Sequence, residues 1–267
     1  MLSALIHANP RDLWQPTVFS VAILIQIIYL ILVHGSVATR LFGERHLTSS
    51  KQTASFLAGC WLMYFSFGGP LDYLSDNYLF SAHMLQHMLE IVVMAPLILK
   101  GLPLRAYHFL WNSRKTRWLI RKWAHPLVAG GVFNVVLSLF HTPPLYGLAL
   151  VSDPFHFFEH SVFFIIAAFM WAPLLIESPH LPRLKPGQRL LYLLYNYNLM
   201  MPLVVLLFIA KHPWYPFYVH APRMIAWLSP LGDMQLGALI MAFFMAGAYG
   251  IFALKEYFAQ DELVWYA

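Results

Sequence analysis

Long apolar stretches alternate along the chain with short segments rich in Arg, Lys, Pro and Gly. A helix rises about 1.5 Å per residue, so about 20 mostly apolar residues are needed to cross a hydrocarbon core of about 30 Å. Seven stretches approach that length, over 17–34, 54–71, 80–99, 126–141, 155–176, 189–210 and 231–254. The second is the weakest, because 56–67 is apolar but Gly68-Gly69-Pro70 ends it early. The pattern predicts an all-α protein, a polytopic membrane helix bundle with seven transmembrane helices forming one integral membrane domain over 1–267. No internal repeat of the transporter kind stands out by eye.

Charge gives the bundle a direction. With the N-terminus outside, the cytoplasmic segments hold Arg40, Arg45, Lys51, Lys100, Arg105, Arg114, Lys115, Arg117, Arg121, Lys122, Arg183, Lys185, Arg189 and Lys255, which is 14 of the 17 basic residues. Only Arg11, Lys211 and Arg223 fall outside. The positive-inside bias therefore predicts N-terminus outside and C-terminus cytoplasmic, and an even number of spans would spoil the alternation. The first apolar run resembles a signal peptide in being followed by Ser36-Val37-Ala38. Its length, the lone Arg11 before it and the basic residues after it favour a retained helix.

Composition agrees. The chain is 60% hydrophobic and 11% charged, with a mean hydropathy of +0.60, more apolar sequence than a soluble core absorbs. The formal charge of +5 lies between apolar runs, so it reads as topology, and no basic domain is set apart to bind nucleic acid. The basic segment 114–122, with Trp111, Trp118 and Trp123 around it, reads as a positive-inside anchor or an amphipathic helix on anionic lipid. The outer loop 211–230 is an aromatic belt. Cys60 is the sole cysteine, which excludes an intrachain disulfide and a cysteine-rich metal site.

Once the helices have a direction, the histidines sort into groups. His34, His46, His108, His125 and His180 lie toward the cytoplasmic side, scattered among basic loops. His83, His87, His141, His156 and His160 all fall at outer helix ends. His83 and His87 are i and i+4, as are His156 and His160, so each pair shares one helix face. His87 and His160 each lie about 8–10 Å below the outer surface by helical rise. A short connection makes helices four and five antiparallel neighbours and brings His141 into the same layer.

Glu90, three residues beyond His87, and Glu159, beside His160, are costly in a span unless they face a polar interior. With Asp233 they are candidates to ligate a metal or to orient a ligating imidazole through its other nitrogen. Alone, an intramembrane histidine is more often an interhelical hydrogen-bond former than a ligand. Five at one depth in two i, i+4 pairs point instead to a metal or haem site. Met84 and Met88 offer soft donors compatible with copper(I), although methionine is also ordinary apolar filling. His212 and His220 lie in the aromatic loop, as interfacial residues or as a cap on the site.

Several ordered motifs carry a family resemblance. Ser81-Ala82-His83-Met84-Leu85-Gln86-His87-Met88 runs on to Ala95-Pro96-Leu97 and Gly101-Leu102-Pro103. His141-Thr142-Pro143-Pro144-Leu145-Tyr146, Glu159-His160, Trp171-Ala172-Pro173 and Gly232-Asp233-Met234-Gln235-Leu236-Gly237 follow in order. Over roughly 55–254 the chain resembles the CtaG-like family of cytochrome c oxidase assembly factors, of the multi-pass membrane type. The resemblance implies a bacterial inner-membrane protein that matures a haem-copper oxidase by handling copper at the outer face. Its partners would be oxidase subunits and membrane lipids, with self-association left open. It singles out His83, His87, His141, Glu159, His160 and Asp233, while His156 and Glu90 rest on spacing.

Two other functions compete. His156-Phe157-Phe158-Glu159-His160 satisfies the H-x-x-E-H pattern of a class of zinc peptidases, and the two pairs with Glu90 and Glu159 are similar to a di-metal carboxylate bundle, so an intramembrane metalloenzyme is one alternative. A haem-binding electron carrier with axial histidines from facing helices is the other.

Overall fold

A computed structural model describes residues 8–176 and 184–264, so the expectations for His180 and Arg183 fall outside the described residues, as does the side chain of His108. All regular elements among the described residues are helices: α1 (Pro10–Leu13), α2 (Pro16–Val33), α3 (Gly35–Phe42), α4 (Ser50–Phe67), α5 (Pro70–Asn77), α6 (Phe80–Met88), a π-helical segment (Leu89–Met94), α7 (Ala95–Gly101), α8 (Leu104–Asn112), α9 (Arg114–Trp123), α10 (Pro126–Phe140), α11 (Pro143–Val151), α12 (Asp153–Leu175), α13 (Pro186–Ile209), α14 (Pro216–His220) and α15 (Pro230–Val264). A lone bridge pairs His34 with His46.

Each of the seven apolar stretches falls on helix, with bounds shifted by a few residues except at the last, which continues to Val264. Five helices are long and apolar enough to cross a membrane: Pro10–Val33, Phe80–Gly101, Asp153–Leu175, Pro186–Ile209 and Pro230–Phe258. A sixth crossing arises if α9 and α10, bent by 76° where Pro126 follows Ala124-His125, count as one. The chain is thus a multi-pass membrane protein. The stretch expected at 54–71 is displaced by four residues, to Ser50–Phe67; Gly68-Gly69 breaks it and Pro70 starts the separate α5. Helices α10 and α12 are neighbours, yet their connection is the nine-residue helix α11 instead of a bare loop.

The span Phe80–Gly101 holds a local departure from α-geometry with a clear chemical cause. Pro96 lacks an N–H and its ring would press on the carbonyl one turn back. Over Leu89–Met94 the helix widens to i→i+5 pairing, seen where Ala95 N donates to the Glu90 carbonyl. In that register the partner of the Ile91 carbonyl would be Pro96, which has no proton to give. Trp171 of α12 fills the gap, its Nε1 donating to the Ile91 carbonyl at 2.8 Å. The defect therefore ties two helices together directly below the histidines.

One large core joins α6, α10, α12, α13 and α15, built on Phe80, Met84, Met88, Phe133, Phe163, Met170 and Met241 among others. Gly237 lets α15 approach α6 closely, since a Cβ there would lie 2.5 Å from Phe80 Cε1 and 2.9 Å from Met84 Cγ. A smaller cluster of Tyr29, Val33, Phe56 and Cys60 joins α2 to α4. The remaining face of α2, with Leu24, Ile27, Ile28 and Ile31, is exposed. On a membrane helix such a face meets lipid at no cost.

Candidate metal centre

His83 and His87 lie one turn apart on α6 and are fully buried, their ring centroids 4.4 Å apart. His156 and His160 repeat that spacing in the first turns of α12, with centroids 4.6 Å apart. The pairs face one another: His83 stacks on His156 at 5.3 Å, and His87 lies 4.9 Å from His160. His141, the C-terminal cap of α10, completes the ring at 5.6 Å from His87. Five histidines from three helices therefore converge, because i, i+4 spacing aims each pair across one interface.

Two carboxylates enter the same space. Glu90 sits at the start of the π-helical segment, its Oε2 2.9 Å from His160 Nδ1 and 3.9 Å from His87 Nδ1. Glu159 is buried on α12 and joins His83 and His87. Three triads have ligand atoms within 4.8 Å of one another: His83, His156 and His160; His83, His87 and Glu159; and His87, Glu90 and His160. A tetrahedral ion with bonds of about 2.0–2.1 Å holds its nitrogens about 3.3 Å apart, so a triad spread over as much as 4.8 Å would have to draw inward to hold one.

Hydrogen bonding sharpens the fit. Ten buried side-chain N or O atoms lack a hydrogen-bond partner among the described residues, and seven belong to this cluster: both ring nitrogens of His83 and of His87, Oε1 of Glu90 and both oxygens of Glu159. Buried polar atoms are seldom left so, since each costs about 1–3 kcal/mol. Each neutral imidazole carries one lone pair, so His83 and His87 offer one nitrogen apiece and Glu90 and Glu159 their carboxylate oxygens to a cation.

The rim adds a soft donor. His141 Nδ1 lies 2.7 Å from the Leu137 carbonyl, so Nδ1 carries the proton and Nε2 presents a lone pair. That lone pair faces the sulfur of Met84 at 3.2 Å, also an acceptor. A nitrogen and a thioether sulfur turned toward one another suit a soft cation.

Other expected residues lie apart. Asp233 accepts from the backbone N–H of Phe80 at 2.7 Å and of Ser81 at 3.2 Å, and from the Ser81 hydroxyl, so it caps α6 and holds the His83 helix in place. Met88 packs in the large core. His212 and His220 are exposed, and no contact joins them to the cluster among the described residues. The group expected toward the cytoplasm is not wholly scattered: His34 Nδ1 lies 3.2 Å from His46 Nδ1, and His34 Nε2 lies 3.1 Å from the Thr53 hydroxyl oxygen. Their twelve-residue separation hid that approach.

A family model described as cytochrome c oxidase caa3 assembly factor matches residues 27–257. The chain belongs to that family. No curated protein and no solved structure matches it. The matched region takes in every cluster residue, and the resemblance read from the ordered motifs is borne out.

The polar frame around the cluster was not foreseen from the sequence. Gln86 Nε2 donates to Asp72 Oδ1 and to the Ser66 carbonyl, both at 2.8 Å, while Gln15 Nε2 donates to Asp72 Oδ2 at 2.7 Å. Burial pushes the Asp72 carboxyl up to about 8, repulsion from Asp76 adds to this, and the Gln86 bond opposes it. Tyr218 donates to the Ser75 carbonyl and meets Tyr146, and Tyr215 donates to the His141 carbonyl. Asp72 and Asp76 at i, i+4 behind Pro70 were a visible signal, but their fold-back over α6 was not.

Proposed function

We propose that this chain binds copper as cargo in the five-histidine cluster and delivers it to an apo cytochrome c oxidase of the caa3 type. The unpartnered buried groups of His83, His87, Glu90 and Glu159 carry the reading, since a cation would take up the one lone pair of each neutral imidazole and the carboxylate oxygens beside it. The facing His141 nitrogen and Met84 sulfur favour copper(I) over zinc. His83, His87, His156 and His160 would hold the ion, with His141 and Met84 as a soft neighbour. Glu90 orients His160 through Nδ1, which leaves Nε2 as the ligand atom. Bound copper would be released to an acceptor without turnover.

The same reading takes the chain as seven spans with the N-terminus outside and the cluster toward the outer face of a bacterial inner membrane. Helix α4 supports it. At one end Ser55 Oγ donates to the Leu97 carbonyl and at the other Gln86 Nε2 donates to the Ser66 carbonyl, so α4 runs antiparallel beside the whole Phe80–Gly101 span. Its 18 residues rise about 27 Å. The basic residues supply the direction.

Metal analysis of the purified protein beside a His83→Ala, His87→Ala variant tests the copper reading. The native chain should hold copper that a copper(I) chelator removes, and the variant should lose it. Equal metal content in both, or zinc alone together with normal oxidase copper in a deletion strain, would sink it.

One observation favours a second reading. The triads His83, His87, Glu159 and His87, Glu90, His160 each offer two histidines and one glutamate, the donor set of hydrolytic zinc sites. With zinc held by His87, Glu90 and His160, Glu159→Gln should abolish peptide cleavage with zinc retained; oxidase maturation unaffected by that change would favour copper delivery.

A further inference from the structure

The cluster is sealed on most sides. The Phe67 ring meets His160 at 4.6 Å, Phe163 meets His87 at 4.8 Å, and Tyr146 lies 5.1 Å from His83. His83, His87, Glu90 and Glu159 are at most 1% exposed. Exposure rises outward along one line of side chains: His160 is 11% exposed, His156 14% and Asp76 37%.

These three groups form a chain. His160 Nε2 lies 2.9 Å from His156 Nε2, and the other His156 nitrogen, Nδ1, lies 3.9 Å from Asp76 Oδ1. His156 thus turns one nitrogen inward and one outward. The Ser75 hydroxyl donates to Asp76 Oδ1 at 3.0 Å and fixes the carboxylate at the mouth. Asp153, exposed in the first turn of α12, is near enough for its charge to act on Asp76. Inward of the chain, His83 is fully buried, has no hydrogen-bond partner for either nitrogen among the described residues, and shares a triad with His156 and His160.

We propose that Asp76, with Asp153, is the inlet of the cluster, capturing a cation from the outer solution and passing it through His156 to His160 and His83. The inference rests on the copper reading for the identity of the cation. Two carboxylates at one mouth, in a chain whose formal charge is +5, create a local negative field that concentrates cations where the overall charge would repel them. Carboxylate oxygens are hard and hold copper(I) weakly, whereas imidazole holds it better, so transfer inward is downhill. Asp76 is therefore a residue of capture speed and not of retention.

Stopped-flow transfer of copper(I) from a coloured chelator to the full-length protein in detergent separates the two. Asp76→Asn with Asp153→Asn should slow uptake about tenfold at low ionic strength, and raised salt should shrink that difference. The copper held at the end point should stay unchanged, Asp76→Glu should restore the rate, and Glu44→Gln, a charge change at a distant site, should have no effect. Native uptake speed in the double variant would overturn the inlet while leaving the copper site intact. A fall in end-point copper would overturn it by making Asp76 a ligand. No uptake by the native chain would overturn the copper reading and the inlet with it.

Discussion

Glu90, in the π-helical segment that follows α6, and His160, two turns into α12, meet at 2.9 Å between Oε2 and Nδ1 although 70 residues separate them in sequence. The carboxylate accepts the Nδ1 proton and so turns the His160 Nε2 lone pair toward His156 and the cluster. Glu90→Gln retains an acceptor but loses its charge. It should weaken copper(I) binding by about 10–100-fold with stoichiometry retained, the range seen when an orienting partner of a metal ligand is changed. Competition titration against a copper(I) chelator measures it, and an unchanged affinity would refute the orienting role.

A site built from orphaned donors trades stability for binding. His87 leaves both ring nitrogens buried without partners among the described residues. His87→Leu, similar in volume and apolar, should stabilise the metal-free protein by about 1–3 kcal/mol while lowering bound copper. Unfolding of the metal-free native and variant proteins in detergent gives the comparison; a less stable variant would contradict it.

The His83 helix is held at its start by Asp233 and at its side by Gly237. Asp233→Ala removes the acceptor for the Phe80 and Ser81 N–H groups and should cost about 1–2 kcal/mol. Gly237→Ala places a methyl 2.5 Å from Phe80 Cε1 and should cost about 1–3 kcal/mol by overpacking. Both should also weaken copper binding by shifting His83. Normal unfolding midpoints would show that α6 is positioned by other contacts.

Asp72 gives the outer frame a pH dependence. Its carboxyl stands at about 8 in the folded protein, above the unfolded value of about 3.9. A raised folded value means that its contribution to stability is complete below about pH 4 and is lost as pH rises through about 8. The unfolding midpoint of the native protein should therefore fall between pH 5 and pH 9, and Asp72→Asn should flatten that fall. Equal slopes in the two proteins would argue against a protonated Asp72.

Apolar length, the placement of basic residues and i, i+4 spacing were enough to indicate an all-helical membrane chain and the pairs His83, His87 and His156, His160. These are local properties, because helix rise and side-chain direction depend on neighbours one or two turns away. Which faces meet is a matter of packing between distant segments. Only the tertiary structure brought Glu90 to His160, made Asp233 a helix cap, turned Met84 toward His141 and folded Asp76 over His156. Periodicity reports which side of a helix is apolar, whereas the partner of that side is decided by close approach, here permitted by Gly237 and by the Pro96 defect that Trp171 fills.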